Sequence, residues 1–368
     1  MYVVSCQSRS AKKVIWDGME FFPRTIGTRP RLACEVRAEG VVAARGEDAS
    51  GLLAAVSRVG LPEGLAKVER AAVAGALRRA LEAVSLRTRE VTLVVPDTSV
   101  RVLLLDFDAL PGKAAEALAV VRFRLKKLLP FDADDAAVSY QVMATSKNSI
   151  QVVAVAMPRE VLAEYEGMVR EAGFEPGAVL PSTLAAVAGL VEGPDPVLVV
   201  NAGHEAVTTA IVRAGVLLLH RTVDLTASDL AVGDLGAGDR NSELHGQPGG
   251  DGQTQFGAGD FAGLQTAVLA PEMIGERELG AAENEVAQAV SVAAAYFEDT
   301  LERLPEGVLA AGTLGAEALA ALLEAANVRP VPVREMVDGG MLGAAVSAGG
   351  PGRVPFGWLA GVRGALAN

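Results

Sequence analysis

The spacing of apolar residues changes period several times along the chain, and each change marks an element. Leu32-Ala33-Cys34-Glu35-Val36, a polar turn, and Gly40-Val41-Val42-Ala43 read as strand, turn and strand. Over 65–84, Leu65, Val68, Ala72, Val73, Ala76, Leu77, Leu81 and Val84 fall at helical spacing. Val91-Thr92-Leu93-Val94-Val95 is an unbroken apolar and β-branched run, the pattern of a strand covered on both faces. Arg101–Asp106 is a further strand. Residues 111–129 form a helix with Pro111 in its first turn. Ala137–Ala144 and Ser149–Ala156 are two more strands, and a second helix runs from Pro158 to Ala172.

The pattern then restarts. Val197–Asn201, Ala206–Arg213 and Val216–Val223 alternate as a three-strand meander joined by Ala202-Gly203-His204-Glu205 and Ala214-Gly215. Residues 227–263 are rich in Gly, Asp, Ser and Gln. With few large apolar side chains to offset ordering entropy, they read as a flexible loop. Helical spacing resumes over 281–303, Val308–Ala311 is a short buried strand, and a helix follows over 315–326. A strand-turn-strand opening thus occurs twice, near residues 32 and 197, which predicts a duplicated α/β architecture with a cleft between two lobes. The organisation expected is an extension (1–28), a first lobe (29–100), an inserted α+β unit (101–175) and a return to the first lobe (176–195). A second lobe (196–335) and a C-terminal return (336–368) complete the chain.

Composition narrows the function. The 368 residues are half apolar, enough for two or three packed units. The net charge of −12 disfavours phosphate backbones and anionic membrane surfaces, so no nucleic-acid partner is expected. Cys6 and Cys34 stand far apart, as do His204, His220 and His245. No metal, redox or triad spacing results, and a reduced, cytoplasmic protein is expected. No run reaches the roughly 18 apolar residues of a membrane span, so membrane association would go through a partner.

Three turns carry the candidate chemistry. In actin-like ATPases each lobe opens with a hairpin whose turn uses Asp and glycines to approach phosphates and magnesium. Here the first turn is Glu35-Val36-Arg37-Ala38-Glu39-Gly40, with Glu35 in place of Asp and Arg37 in place of the first Gly. The second, Asn201-Ala202-Gly203-His204-Glu205, has an amide in place of the acid. The third, Ala310-Ala311-Gly312-Thr313-Leu314-Gly315, lies between strand and helix, where a nucleoside could rest on the glycines. The remnant nucleotide-binding set is therefore Glu35, Arg37, Asn201, Gly203, Gly312, Thr313 and Gly315. Its substitutions place ATP and magnesium in doubt, and ordinary strand turns are the plain alternative.

Leu125-Lys126-Lys127-Leu128-Leu129-Pro130-Phe131, followed by Tyr140-Gln141-Val142, adds a more specific signal. So do Val152–Pro158, Ala172-Gly173-Phe174-Glu175-Pro176, Ala294-Ala295-Tyr296-Phe297 and the Val197–Thr222 meander. On these residues, over about 31–366, the chain resembles the PilM family, the cytoplasmic actin-like component of type IV pilus assembly, itself similar to FtsA. The resemblance implies an actin-like, ribonuclease H-like duplicated fold with two lobes and an inserted small α+β subdomain. It also implies a partner, the cytoplasmic tail of a PilN-like inner-membrane protein, held in a groove beside that subdomain, and links to the assembly ATPases of the pilus machine. The 111–129 helix could supply the groove, with Leu118, Val121, Arg122, Leu125, Leu128 and Leu129 near Phe131 and Tyr140. An extended tail could add to a sheet edge there. The other reading makes those apolar residues core and the basic ones a solvated face.

The sequence therefore leads to a scaffold with degenerate nucleotide turns. Two alternatives stand beside it: an active actin-like ATPase whose nucleotide state gates the partner, and a cytoplasmic platform component of a type II secretion system. Self-association is left open. Trp358, beside Phe356, is expected to anchor the last helix, and Trp16, Phe21 and Phe22 could dock from the leader.

Overall fold

The computed structural model describes residues 31–47, 51–61, 70–190, 193–225, 279–329, 331–347 and 354–367. The expected extension over 1–28, with Trp16, Phe21 and Phe22, and the expected loop over 227–263 lie outside these residues.

Two five-stranded sheets repeat one plan. The first is built from β1 (Leu32–Arg37), β2 (Gly40–Gly46), β3 (Leu53–Gly60), β4 (Glu90–Val95) and β8 (Glu175–Pro181), in spatial order β3-β2-β1-β4-β8. The second uses β9 (Val197–Ala202), β10 (Ala206–Arg213), β11 (Val216–Asp224), β12 (Val308–Gly312) and β13 (Val333–Glu335), in order β11-β10-β9-β12-β13. In each, the first three strands meander antiparallel and the last two run parallel to the first. This is the duplicated, two-lobed actin-like layout that the repeated hairpins predicted. Ala214 (φ 49°) and Gly215 (φ 76°) are both left-handed, the two-residue turn that matches strand twist and joins β10 to β11.

Helices cover the sheets because alternate strand residues face opposite ways. On β9, Leu198, Val200 and Ala202 pack with α5 (Ala281–Leu301) and α6 (Gly315–Ala325). Val199 faces the other way, into the core shared with the first lobe. That core holds α1 (Arg70–Val84), α3 (Arg159–Glu171), α4 (Ser182–Ala188) and α8 (Ala360–Ala367). The short α7 (Ala344–Ser347) lies by β3. Trp358 is buried in the shared core, with the Arg58 guanidinium 4.2 Å over its ring.

The inserted unit is a three-stranded antiparallel sheet, β5 (Arg101–Phe107), β7 (Ile150–Pro158) and β6 (Ala136–Thr145) in that spatial order, backed by α2 (Ala114–Leu125). α2 starts later than the periodicity implied. Its N-cap is Lys113, so Pro111 precedes the helix instead of opening it. α3 follows the insertion in sequence, and its Leu162, Met168 and Val169 join the large core to which α1 and β8 of the first lobe and β6 and β7 of the insertion all contribute. β3, β8 with α4, and β13 are additions to the sequence reading. Pro176, Gly177 and Pro181 disguise β8, and β13 has only three residues.

Candidate functional site

The parallel strands of both lobes point their carboxyl ends at one place, where open α/β sheets bind ligands. Glu35 and Arg37 close β1, Asp97 follows β4, and Ser182 and Thr183 follow β8. In the second lobe, Asn201 ends β9, Thr313 follows β12, and Glu335 ends β13. Gly312 (φ +92°) brings the third turn against the second hairpin: a Cβ there would lie 2.3 Å from the Ala202 carbonyl oxygen.

One hydrogen-bonded chain crosses between lobes. The Glu35 carboxylate has no exposed surface. Its Oε1 meets Arg37 Nη2 at 2.5 Å and accepts from Ser182 Oγ at 2.6 Å. Arg37 also donates to Ser182 Oγ at 3.0 Å and, across the cleft, to Asn201 Oδ1 at 3.4 Å. Asn201 Nδ2 donates in turn to Ser182 Oγ and Thr183 Oγ1, both at 2.9 Å, and more weakly to Asp97 Oδ2 at 3.4 Å. Asp97 accepts the Thr183 N–H at 3.1 Å and its hydroxyl at 2.5 Å. Asn201 thus accepts with one end and donates with the other, and an Asp carboxylate could only accept.

A second bridge lies nearer the mouth. Glu39 Oε1 accepts from the His204 backbone N–H at 2.9 Å and from the Thr313 hydroxyl at 2.5 Å. Glu335 Oε1 accepts the Ala316 N–H at 2.8 Å, in the first turn of α6. The His204 N–H, the Thr313 hydroxyl and the Ala316 N–H are therefore engaged by the chain's own carboxylates.

Burial pushes the Glu35 carboxyl above its ordinary pKa, against the opposing pull of Arg37 and Ser182. Burial acts the same way on Glu39, but Thr313, His204 and Arg37 outweigh it and hold that carboxyl below the ordinary value. Glu205 is raised by burial and by the neighbouring Glu39 and Asp224. Burial, with Glu35 beside it, pushes the Cys34 thiol far up and leaves it inert. The space between Glu35, Arg37, Glu39, Asp97, Asn201 and His204 is about 50 Å³. That is room for a few waters, against roughly 300–1,000 Å³ for ordinary ligand pockets. Among the described residues, no group of three His, Cys, Asp or Glu side chains could hold a metal ion.

Of the residues singled out from sequence, Glu35, Arg37, Asn201 and Gly203 line this cleft. Thr313 reaches it through Glu39, Gly312 abuts Asn201, and Gly315 lies beside Glu335. Asp97, Ser182, Thr183, Glu39 and Glu335 escaped the sequence reading. Pro96-Asp97-Thr98-Ser99 and Pro181-Ser182-Thr183 each end a buried apolar strand with sudden polarity, a signal that could have found three of them.

Two of the expected groove residues cannot line a surface groove, while Leu118, Phe131 and Tyr140 stay partly exposed. Val121 and Leu125 have no exposed surface and form the inserted unit's own core, with Leu118, Phe131 and Tyr140 packed against it. Arg122 is spent on the Ala133 and Ala136 carbonyls. α2 also exposes Val120 and, at 67%, Phe123; Leu128, one of the expected groove residues, stands out just beyond the helix, and Leu104 and Val142 on the sheet.

No protein-family model and no curated protein matches the sequence. Among solved structures, the chain is similar to one from a PilM–PilN type IV pilus biogenesis complex. The two are 17% identical with a TM-score of 0.62, over 92% of this chain and 98% of that one. It is also similar to the cytoplasmic domain of EpsL, an inner-membrane component of the type II secretion system of Vibrio cholerae. That match has 14% identity and a TM-score of 0.37, over 58% and 79% of the two chains. The first similarity establishes the fold. Among the described residues, no helix is long and apolar enough to cross a membrane.

Proposed function

We propose that this chain is a cytoplasmic actin-like component of a type IV pilus or related inner-membrane assembly platform. It holds the cytoplasmic tail of a PilN-like membrane protein, links it to the assembly ATPases, and needs no nucleotide to do so. It meets the membrane only through that partner. The observation that carries this reading is the fold correspondence with a chain of the PilM–PilN complex over 92% of the present one.

The cleft residues do not fit a magnesium nucleotide. Phosphates need free N–H and O–H donors, and those of His204, Thr313 and Ala316 already serve Glu39 and Glu335. Magnesium needs available carboxylates. Glu35 is paired with Arg37, Asp97 is held by Thr183 and Asn201, and Asn201 brings no charge. A tail would instead use the inserted unit. Phe123, Val120 and Leu128 give it apolar seats, Arg124 and Lys127 lie alongside them in sequence, and β5 and β6 are the outer strands of that small sheet. An extended peptide adding to a sheet edge gains affinity from backbone bonds and specificity from alternate side chains.

Calorimetric titration tests this. A synthetic tail peptide from the PilN-like protein should bind the full chain without nucleotide, and Phe123→Ala should weaken it about tenfold, ~1.4 kcal/mol. MgATP at about 1 mM, the upper end of the range over which working sites take their substrates, should give no binding heat. Absence of peptide binding would overturn the partner reading. Peptide binding that requires MgATP would make the protein a nucleotide-gated adaptor.

A further inference from the structure

The Glu39 carboxylate does more than line the cleft. It leaves the first lobe's hairpin turn and sits between two donors of the second lobe, the His204 N–H at 2.9 Å and the Thr313 hydroxyl at 2.5 Å. A Cβ added at Gly203 would lie 3.2 Å from both Glu39 Oε1 and Thr313 Oγ1, so the three turns close around this oxygen. A backbone N–H in a turn joined by a hydroxyl is the donor set an anionic oxygen takes in a phosphate site. Arg37 adds positive charge nearby: it helps hold the Glu39 carboxyl in its ionised form.

We propose that Glu39 is a built-in anion. It occupies the phosphate position of the cleft, excludes phosphate ligands from it, and ties the two lobes together as a bound nucleotide otherwise would. This deepens the nucleotide-independent reading and rests on it in one respect, that no nucleotide competes for these donors. The tie itself is a property of the chain alone. Charge-assisted bonds of this kind are among the stronger ones a side chain makes, and both partners here lie on the opposite lobe.

Amide hydrogen exchange on the full chain reads the tie directly at His204. In the wild type, its N–H should be protected without any ligand. Glu39→Ala should speed its exchange at least tenfold, while the Leu198 amide in the second lobe's core keeps its rate. Thr313→Val should have a smaller effect of about two- to threefold, and adding it to Glu39→Ala should change little further, as expected for residues acting through one oxygen. Inorganic phosphate should slow His204 exchange in Glu39→Ala and leave the wild type unchanged. Unaltered His204 exchange in Glu39→Ala, or phosphate acting equally on both proteins, would overturn the proposal. MgATP binding to the wild type with His204 still dependent on Glu39 would sink the nucleotide-independent reading and leave the tie standing.

Discussion

The β1–β2 turn and the β9–β10 turn hold equivalent places in the two lobes, yet they contribute opposite chemistry. The first extends charged side chains, Glu35, Arg37 and Glu39. The second offers a neutral amide, Asn201, and the His204 backbone N–H. Two turns that both presented donors would need a shared anion between them. Here one turn carries the anion and a cation, and the other carries groups to receive both. Substitutions that look like decay in each turn taken alone complement each other across the cleft.

Breaking the first turn's charge pair should have the largest effect. Arg37→Ala would leave Glu35, with no exposed surface, facing Ser182 without a counter-ion. A buried pair broken on one side costs about 3–5 kcal/mol. Arg37→Ala combined with Glu35→Gln should recover more than half of that, because no uncompensated charge remains. Urea unfolding midpoints at constant slope measure both. A loss below 1 kcal/mol for the single variant would mean that water reaches Glu35.

Making the second turn resemble an acidic one comes next. Asn201→Asp would lose donation to Ser182 and Thr183 and set a carboxylate against Asp97. A cost of about 2 kcal/mol at pH 7 is expected. Burial and the neighbouring Asp97 should raise the new carboxyl in the folded state, against the opposing pull of Arg37. The penalty should shrink as the pH falls toward the ordinary Asp value of ~3.9 and grow as the pH rises. A pH-independent penalty would show that charge is not its cause.

This complementarity explains what the sequence could and could not reveal. The lobes were legible because Leu32–Val36 and Val197–Asn201 open two similar apolar-turn-apolar units, and sheet faces write their period into the chain. Glu35 and Asn201 were noticed only as departures from an acidic pattern. Their partners Ser182 and Thr183 are 147 and 18 residues away in sequence, respectively, and no local spacing predicts such pairs. Val121 and Leu125 were misplaced because helical spacing gives an apolar face and not what covers it. That face closes the inserted unit's own core.

A smaller contrast separates the supports of the two turns. The first is braced from beneath by α8: a Cβ at Gly361 would lie 2.4 Å from Glu35 Oε2 and 2.9 Å from its Cδ. Gly361→Ala should therefore cost about 1–2 kcal/mol through overpacking against a pinned side chain. Gly203→Ala, whose Cβ would meet only the tips of Glu39 and Thr313 at 3.2 Å, should cost less. Thermal melts that rank the two the other way would mean α8 yields more readily than the cleft mouth.

The smallest effect concerns Glu39 and has a definite dependence on pH. Glu39→Gln keeps an acceptor oxygen but removes the charge, so at pH 7 it should lose about 1 kcal/mol, the charge-assisted part of two hydrogen bonds discounted for solvent at a partly exposed group. The folded Glu39 carboxyl lies below its ordinary value. Its contribution is thus complete above the ordinary Glu pKa of ~4.3 and is lost as the pH falls through the lower folded value. The stability gap between wild type and Glu39→Gln should stay constant from pH 7 to about 5 and close below about 4. The nearby Glu205 is raised in the folded state by burial and in part by the Glu39 charge, so Glu39→Gln relieves that repulsion and offsets part of the loss at pH 7. A gap that persists unchanged into acid would mean that hydrogen-bond geometry alone joins the two turns, without the charge.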